Sequence, residues 1–287
     1  MVELLKMSNL RILIHNVGHG QAVHVFTPVG QTVVIDLGRS ADFSPLVWLK
    51  EQTSTIDHLT ITHPHGDHVD EILLLEKMGF RVRQFWRPKW LPRDEVYNQN
   101  QGSYKGKLDA YFKMSDRYTI PIKESERVGN PSVSGGVSIK KYASKSCGFS
   151  NINNHSGVTV IDYRGVTVVI PGDNEQASWR ELMKKRDFAT AMNRANVFMA
   201  SHHGRESGYC TEIFTEKPDL CTVSDGRVQD TDARQRYSYH AKGWIVHKRN
   251  DGSSEKRYCV TTRQDSFIDI KIGLNADSKT YLSVKID

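Results

Sequence analysis

An apolar run that ends abruptly in a cluster of ligand-bearing side chains restricts how this chain can fold. Ile56-Asp57-His58-Leu59-Thr60-Ile61-Thr62 reads as a buried strand, and His63-Pro64-His65-Gly66-Asp67-His68 follows it directly. The strand must therefore end in a tight, polar loop. Side chains two apart on such a loop can point the same way, so His63 and His65 can share one metal ion. Asp67 and His68 then face a second site beside it. Imidazole and carboxylate donors without a thiolate suit zinc, manganese or iron better than copper(I) or an iron–sulfur cluster. The plainer alternative is a surface loop that happens to be histidine-rich.

Short strand-like runs recur on both sides of this loop. Leu10–His15, Ala22–Phe26 and Thr32–Ile35 come before it, with turn residues at Gly18-His19-Gly20 and Pro28-Val29-Gly30-Gln31. Residues 43–51 and 68–78 read as helices, Ile72, Leu75 and Met78 keeping a helical spacing in the second. Further on, Gly157–Tyr163 and Val166–Ile170 make a hairpin across Arg164-Gly165. Residues 175–194 then read as one helix with Trp179, Leu182 and Met183 inward, and Val197–Ala200 as another strand. Strand–helix alternation in both halves implies two α/β units packed sheet to sheet. No linker or low-complexity stretch divides them, so residues 1–287 are expected to form one domain.

The segment from Arg81 to about Gly136 differs in texture. Arg81, Arg83, Arg87, Lys89 and Arg93 alternate with Phe85, Trp86 and Trp90. Such an insertion can grip phosphates and stack bases. Equally, its aromatic residues can form a small core of their own, since Trp and Phe are usually buried. The net charge of +6 leans mildly toward anionic partners such as DNA or RNA. No apolar run approaches the ~20 residues that span a bilayer. The opening Met1-Val2-Glu3-Leu4-Leu5-Lys6 lacks the features of a secretory signal. Cys147, Cys210, Cys221 and Cys259 are widely spaced, as suits reduced thiols, and the expected location is cytoplasmic.

More candidate ligands lie at strand ends. Asp173, in Pro171-Gly172-Asp173, could bridge two cations or cap the helix that follows. His202 and His203 come just after an apolar strand and before Gly204. Adjacent side chains diverge, so the two should not bind the same ion. Asp36, in Ile35-Asp36-Leu37-Gly38, could be a ligand, could orient one, or could be a turn residue.

In order, Val33-Val34-Ile35-Asp36-Leu37-Gly38, Thr62-His63-Pro64-His65-Gly66-Asp67-His68, Pro171-Gly172-Asp173 and Ser201-His202-His203-Gly204 resemble the metallo-β-lactamase superfamily. Asn16-Val17-Gly18-His19-Gly20-Gln21-Ala22 resembles the D-V-G-Q-G-D-A opening of the soluble hydrolase domain of ComEC-type DNA-uptake proteins. Asn154-His155-Ser156-Gly157-Val158 resembles that subfamily's N-x-S-x-V segment. The similarity runs from about residue 10 to 270, with 81–136 poorly matched. It departs at Asn16, His19 and Gln21, where the subfamily often shows Asp, Gln and Asp.

The resemblance implies a four-layer αββα sandwich and two divalent metal ions, zinc or manganese. It places His63 and His65 on one ion, Asp67 and His68 on the other, Asp173 between them, and His203 as a further ligand. It also implies that His202 faces substrate and that Asp36 braces the ligand loop. His155 lies near the segment where the family carries a third imidazole for the first metal; alternatively it is a hairpin-end histidine beside Asn154. Two cations close together supply hydroxide at neutral pH and polarise the scissile bond, with Asp67 orienting the nucleophile. Hydrolysis is the expected reaction, and phosphodiester cleavage in nucleic acid or nucleotides the expected form. Arg205 offers cationic help to a phosphoryl group, with Arg227, Lys242 and Arg263 as weaker candidates. His240, in Tyr237-Ser238-Tyr239-His240, could contact substrate or protonate a leaving group. Hydrolysis of a carboxylic ester, lactone, thioester or amide, or a non-catalytic effector role with a vestigial site, are the competing readings.

Overall fold

β-branched runs bounded by Gly, Pro and Asn become the strands of two facing sheets. The structure, a computed structural model, describes residues 9–225 and 234–287; the opening hexapeptide and Arg227 lie outside the described residues. In chain order the strands are β1 Leu10–Ile14, β2 Val23–Phe26, β3 Thr32–Ile35, β4 Thr55–Thr60, β5 Arg81–Trp86, β6 Ser138–Tyr142, β7 Val158–Tyr163 and β8 Val166–Ile170. They continue with β9 Ala195–Met199, β10 Leu220–Val223, β11 Trp244–Lys248, β12 Ser254–Arg257, β13 Cys259–Thr261, β14 Ile268–Leu274 and β15 Thr280–Ile286. The helices are α1 Pro45–Lys50, α2 Ile72–Lys77, α3 Arg93–Asn98, α4 Lys105–Arg117, α5 Gln176–Met183, α6 Arg186–Asn193, α7 Arg234–Tyr239 and α8 Thr262–Asp265.

One sheet runs β12-β11-β15-β14-β1-β2-β3-β4-β5 and the other β13-β10-β9-β8-β7-β6. The side-chain period of two sorts each strand between two cores. Leu10, Ile12, Ile14, Val23, Val25, Val33 and Ile35 meet Ile139, Ile161, Val168, Ile170 and Val197 between the sheets. Val34, Leu59 and Phe85 face the other way, onto Leu46, Ile72, Leu108 and Tyr111 of the helices covering the first sheet. Val169 and Phe198 pack outward against Trp179, Leu182 and Phe188 over the second. Burial on both faces explains why these strands read as unbroken apolar runs. The layering is αββα, as expected.

Three local readings change. Arg81–Trp86 is not part of an irregular insertion but an edge strand, parallel to β4 in the register Ile56↔Val82 and Thr60↔Trp86. Arg81 and Arg83 are exposed, and their charge hid the alternation. Beyond it, the aromatic residues of α3 and α4 join the core over the first sheet instead of forming one of their own. The helix read over 175–194 is two, because Lys185 adopts an extended conformation with ψ 114°. The turn at Arg164-Gly165 is as read: both residues have positive φ, 54° and 81°, which matches the twist of a two-residue hairpin. Among the described residues no helix is long and apolar enough to cross a membrane.

Candidate metal centre

The histidine loop is pinned before it begins. Beyond β4, Ile61 N donates to Trp86 O at 3.0 Å and Thr62 N to Asp36 Oδ1 at 2.7 Å, tying the backbone to the strand ends on either side. Asn100 then clamps the loop, its Nδ2 donating to Pro64 O at 3.0 Å and its Oδ1 accepting from Gly66 N at 2.9 Å. Gly66–His68 is one 3₁₀ turn. Its glycine is required, because a Cβ there would overlap the Tyr104 ring. The result buries His63 and His68 completely, with their ring centroids 4.3 Å apart.

The second sheet brings the opposing half. At Gly172, φ +62°, the backbone passes so close to Thr62 and Ser156 that no side chain fits, and Asp173 follows. Ser201 Oγ donates to Asn174 O at 2.6 Å and lies 3.1 Å from Gly172 O. His202 and His203 both take left-handed φ, 51° and 55°. Two consecutive non-glycine residues there store strain, and such strain clusters at functional sites. His203 Nδ1 lies 3.0 Å from Ser224 O, so that nitrogen donates and Nε2 is left facing the cluster.

Six residues converge. His68 Nε2 is 3.3 Å from Asp173 Oδ1, and His203 Nε2 is 3.4 Å from Asp173 Oδ2 and 3.3 Å from Asp67 Oδ2. The two Nε2 atoms are 3.3 Å apart. His63 Nε2 is 3.9 Å from Asp173 Oδ2, and His19 Nε2 is 3.4 Å from Asp67 Oδ2. The donor atoms form two groups, His63 with His68 and Asp173, and His19 with Asp67 and His203. His65 Nδ1 lies against the first group, 2.9 Å from His63 Nε2. The structure thus places His68 with His63 while keeping it near Asp67, whose Oδ2 lies 3.8 Å from His68 Nε2. It also adds His19, which the sequence offered only as a departure from a motif.

Asp36 organises the cluster from behind, fully buried. Its Oδ2 accepts from His68 Nδ1 at 2.8 Å, Thr62 Oγ1 at 2.7 Å and Gln21 Nε2 at 2.9 Å. His68 Nδ1 therefore donates to Asp36, which aims Nε2 at Asp173. Burial pushes the Asp36 carboxyl up, outweighing the pull of His68 and Thr62. Burial likewise pushes Asp173 and Asp67 up, but the surrounding imidazoles win and hold both well below the usual carboxylate range. For His68 and His203 burial is outweighed by the carboxylates; His68 rises well above its ordinary value and His203 to about 9. Burial lowers His63 and His65, and brings His19 down to about 4 with help from His203.

A divalent cation fits these residues. Asp173 Oδ1 is buried and makes no well-aligned hydrogen bond, its close neighbour being His68 Nε2 at 3.3 Å, a costly state for a carboxylate oxygen. Nitrogen and carboxylate donors crowd around it, and two ionised carboxylates attract positive charge.

The remaining expected residues sit at varied distances from this convergence. His202 Nε2 is 3.6 Å from Asp173 Oδ2, and its Nδ1 is held by Glu175 at 3.2 Å and Ser207 at 2.8 Å. Arg205 is half-buried, and its charge helps to lower His19. His155 turns elsewhere: Trp90 Nε1 donates to its Nδ1 at 3.1 Å, its Nε2 faces Gly148 O at 3.3 Å, and it belongs to neither donor group. His240 stacks on Phe214, and its Nε2 shares a hydrogen bond with the Tyr209 hydroxyl at 2.6 Å. Glu175, Asn100 and Tyr104 were not read from the sequence, since each reaches the site only through folding.

No family model and no curated protein match the sequence. Solved structures do. The β-hydroxylase CmlA, as an E377D mutant, superposes with a TM-score of 0.51 at 14% identity, over 92% of this chain and 54% of its own. The chain has the metallo-β-lactamase fold. It spans about half the length of CmlA. Zinc-bound PqqB from Methylobacterium extorquens gives 0.43 at 10% identity, over 75% of this chain and 89% of its own. A Thermotoga maritima protein assigned to the Zn-dependent hydrolases of the metallo-β-lactamase superfamily gives 0.41 at 12%, over 87% and 97%.

Proposed function

We propose that this protein is a metal-dependent hydrolase whose substrate is a phosphodiester of nucleic acid or a nucleotide. The observation that carries the reading is the convergence of His63, His68, His203, Asp67 and Asp173 around a buried carboxylate oxygen without a well-aligned hydrogen bond. These residues, with His65 and His19 at the margins, would hold two divalent cations, zinc or manganese. Bound cations of this kind activate water and polarise a phosphoryl oxygen. Asp67, its side chain 21% exposed, is the carboxylate that can orient an incoming water and accept its hydrogen bond. Asp36 and Thr62 hold His68 in one tautomer, and Glu175 fixes His202 beside Asp173. Arg205 supplies positive charge for a phosphoryl oxygen. His240 is engaged by the Tyr209 hydroxyl and is left out of this machinery. The sequence resemblance to ComEC-type domains and the net charge support a nucleic-acid substrate.

One observation favours the ester or lactone reading instead. A cavity of about 640 Å³ lined by Leu13, His15, Phe43, Trp48 and Phe267 adjoins Asn16 and Gly18, beside His19. A compact acyl substrate would suit it. The deciding experiment is hydrolysis of bis-p-nitrophenyl phosphate, p-nitrophenyl butyrate and nitrocefin by the metal-supplemented protein, beside a His63→Ala/His65→Ala variant. Diesterase activity that the variant lacks is expected. Ester or lactam turnover alone would move the assignment to acyl transfer, and equal activity in the variant would sink the metal mechanism.

A further inference from the structure

A second concave surface lies where the edge strand of one sheet, β5, meets the edge strand of the other, β6. The cleft measures about 500 Å³ and is lined by Trp86, Trp90, Tyr118 and Tyr142 together with Arg87, Lys89, Lys141, Lys145 and Lys185. Five cations and no carboxylate line it. Lys185 has a carboxylate 3.8 Å away, on Glu181, while Arg87 is spent on Ser115 and backbone carbonyls. Lys89, Lys141 and Lys145 make no ion pair with a described residue; Lys145 lies over the Trp90 ring, 5.2 Å from its centroid. Burial and the nearby Arg127 lower the Lys141 ammonium to about 7, as befits a cation without a counter-ion.

The cleft connects to the metal centre through the backbone. Trp86 O accepts from Ile61 N, two residues before His63, and the Trp86 ring covers Gly157. Trp86 and Trp90 meet edge to face, 6.4 Å between centroids, and both are half-buried.

We propose that this cleft binds single-stranded nucleic acid, its lysines gripping phosphates while Trp86 and Trp90 stack unpaired bases. This rests on the phosphodiesterase reading and names its substrate as a single strand. Unpaired cations supply sequence-independent attraction to phosphate, and the partly exposed indole edges offer a stacking platform that a closed duplex cannot use. An acidic protein segment would satisfy the lysines but leave the indoles unexplained.

The test is fluorescence anisotropy of labelled 12-mers of dT and of U on the purified full-length protein, with a gel to confirm intact strands. Both strands are expected to bind, the tighter one revealing DNA or RNA preference. A duplex and an abasic strand of equal length are expected at least tenfold weaker. The exposed triple variant Lys89→Ala/Lys145→Ala/Lys185→Ala is expected to lose tenfold or more. Its plot of log affinity against log salt should flatten by about 2, at roughly 0.7 for each single-strand phosphate no longer neutralised. Lys279→Ala/Lys285→Ala, on β15 and its approach, is expected to bind as the parent does. Unchanged binding by the triple variant, equal binding of duplex or abasic strand, or displacement by polyglutamate at matched charge would overturn the proposal. Hydrolysis of bis-p-nitrophenyl phosphate should survive in the triple variant. If the parent protein fails to hydrolyse it yet binds the single strands as described, the reaction assignment falls and the cleft stands.

Discussion

Asp36 shows how one carboxylate orders the His–Asp cluster without belonging to either donor group. It holds Thr62, Gln21 and His68 at once, from a backbone with φ +62° that few side chains tolerate. Asp36→Asn keeps that backbone, since Asn accepts the left-handed region. Metal affinity should fall 10–100-fold, read by competition with a chromophoric chelator, while the melting temperature stays within a few degrees. Asp36→Val loses the backbone too and should destabilise by about 2–3 kcal/mol in urea melts. His203 gives a pH signature. Its folded value of about 9 exceeds the ordinary 6.5, so its stabilising contribution is complete below pH 6.5 and lost as pH rises through 9. Chelator-treated protein should therefore lose stability across that window, and His203→Gln should flatten the loss. His63, His65, Asp67 and His68 could be read as a group because six consecutive residues carry them. His19 could not: its approach to Asp67 spans 48 positions and depends on the left-handed glycines at 18 and 20.

Among the elements, the short 3₁₀ turn and the segment that covers it act as a unit. Gly66 touches Tyr104, and Asn100 spans Pro64 and Gly66. Gly66→Ala should cut activity and stability together, because the new methyl group meets the ring. Tyr104→Ala in the same chain should restore most of both, and additive losses in the double variant would contradict this contact. Strand β5 escaped the sequence because Arg81 and Arg83 sit on its exposed face at a sheet edge, whereas β3 and β4, buried on both sides, were plain. The two helices α5 and α6 merged in the reading because Lys184-Lys185 carries no glycine or proline to mark the break. Asp173 illustrates a signal with two meanings. An aspartate ahead of a helix suggests a cap, yet the α5 cap position is Glu175, and Asp173 points into the cluster.

At the scale of the whole molecule, the centre lies where the ends of β4, β8 and β9 meet across two sheets, so neither half holds it alone. Cation binding should therefore stabilise the entire fold. At a concentration 100 times its dissociation constant, one ion adds about 2.7 kcal/mol, which for a chain of this size raises the melting temperature by roughly 4–5 °C. Calorimetry with and without zinc or manganese checks this. The αββα layering could be read from alternating strands and helices, and the basic cleft between β5 and β6 could not, since its two walls are about 55 residues apart in sequence. The central claim is that the His–Asp cluster is a two-metal site. It is tested most directly by elemental analysis of the purified protein beside Asp173→Ala. Close to two divalent ions per chain, falling below one in the variant, is the result expected. Background metal in the parent, or the same content in both, would contradict it.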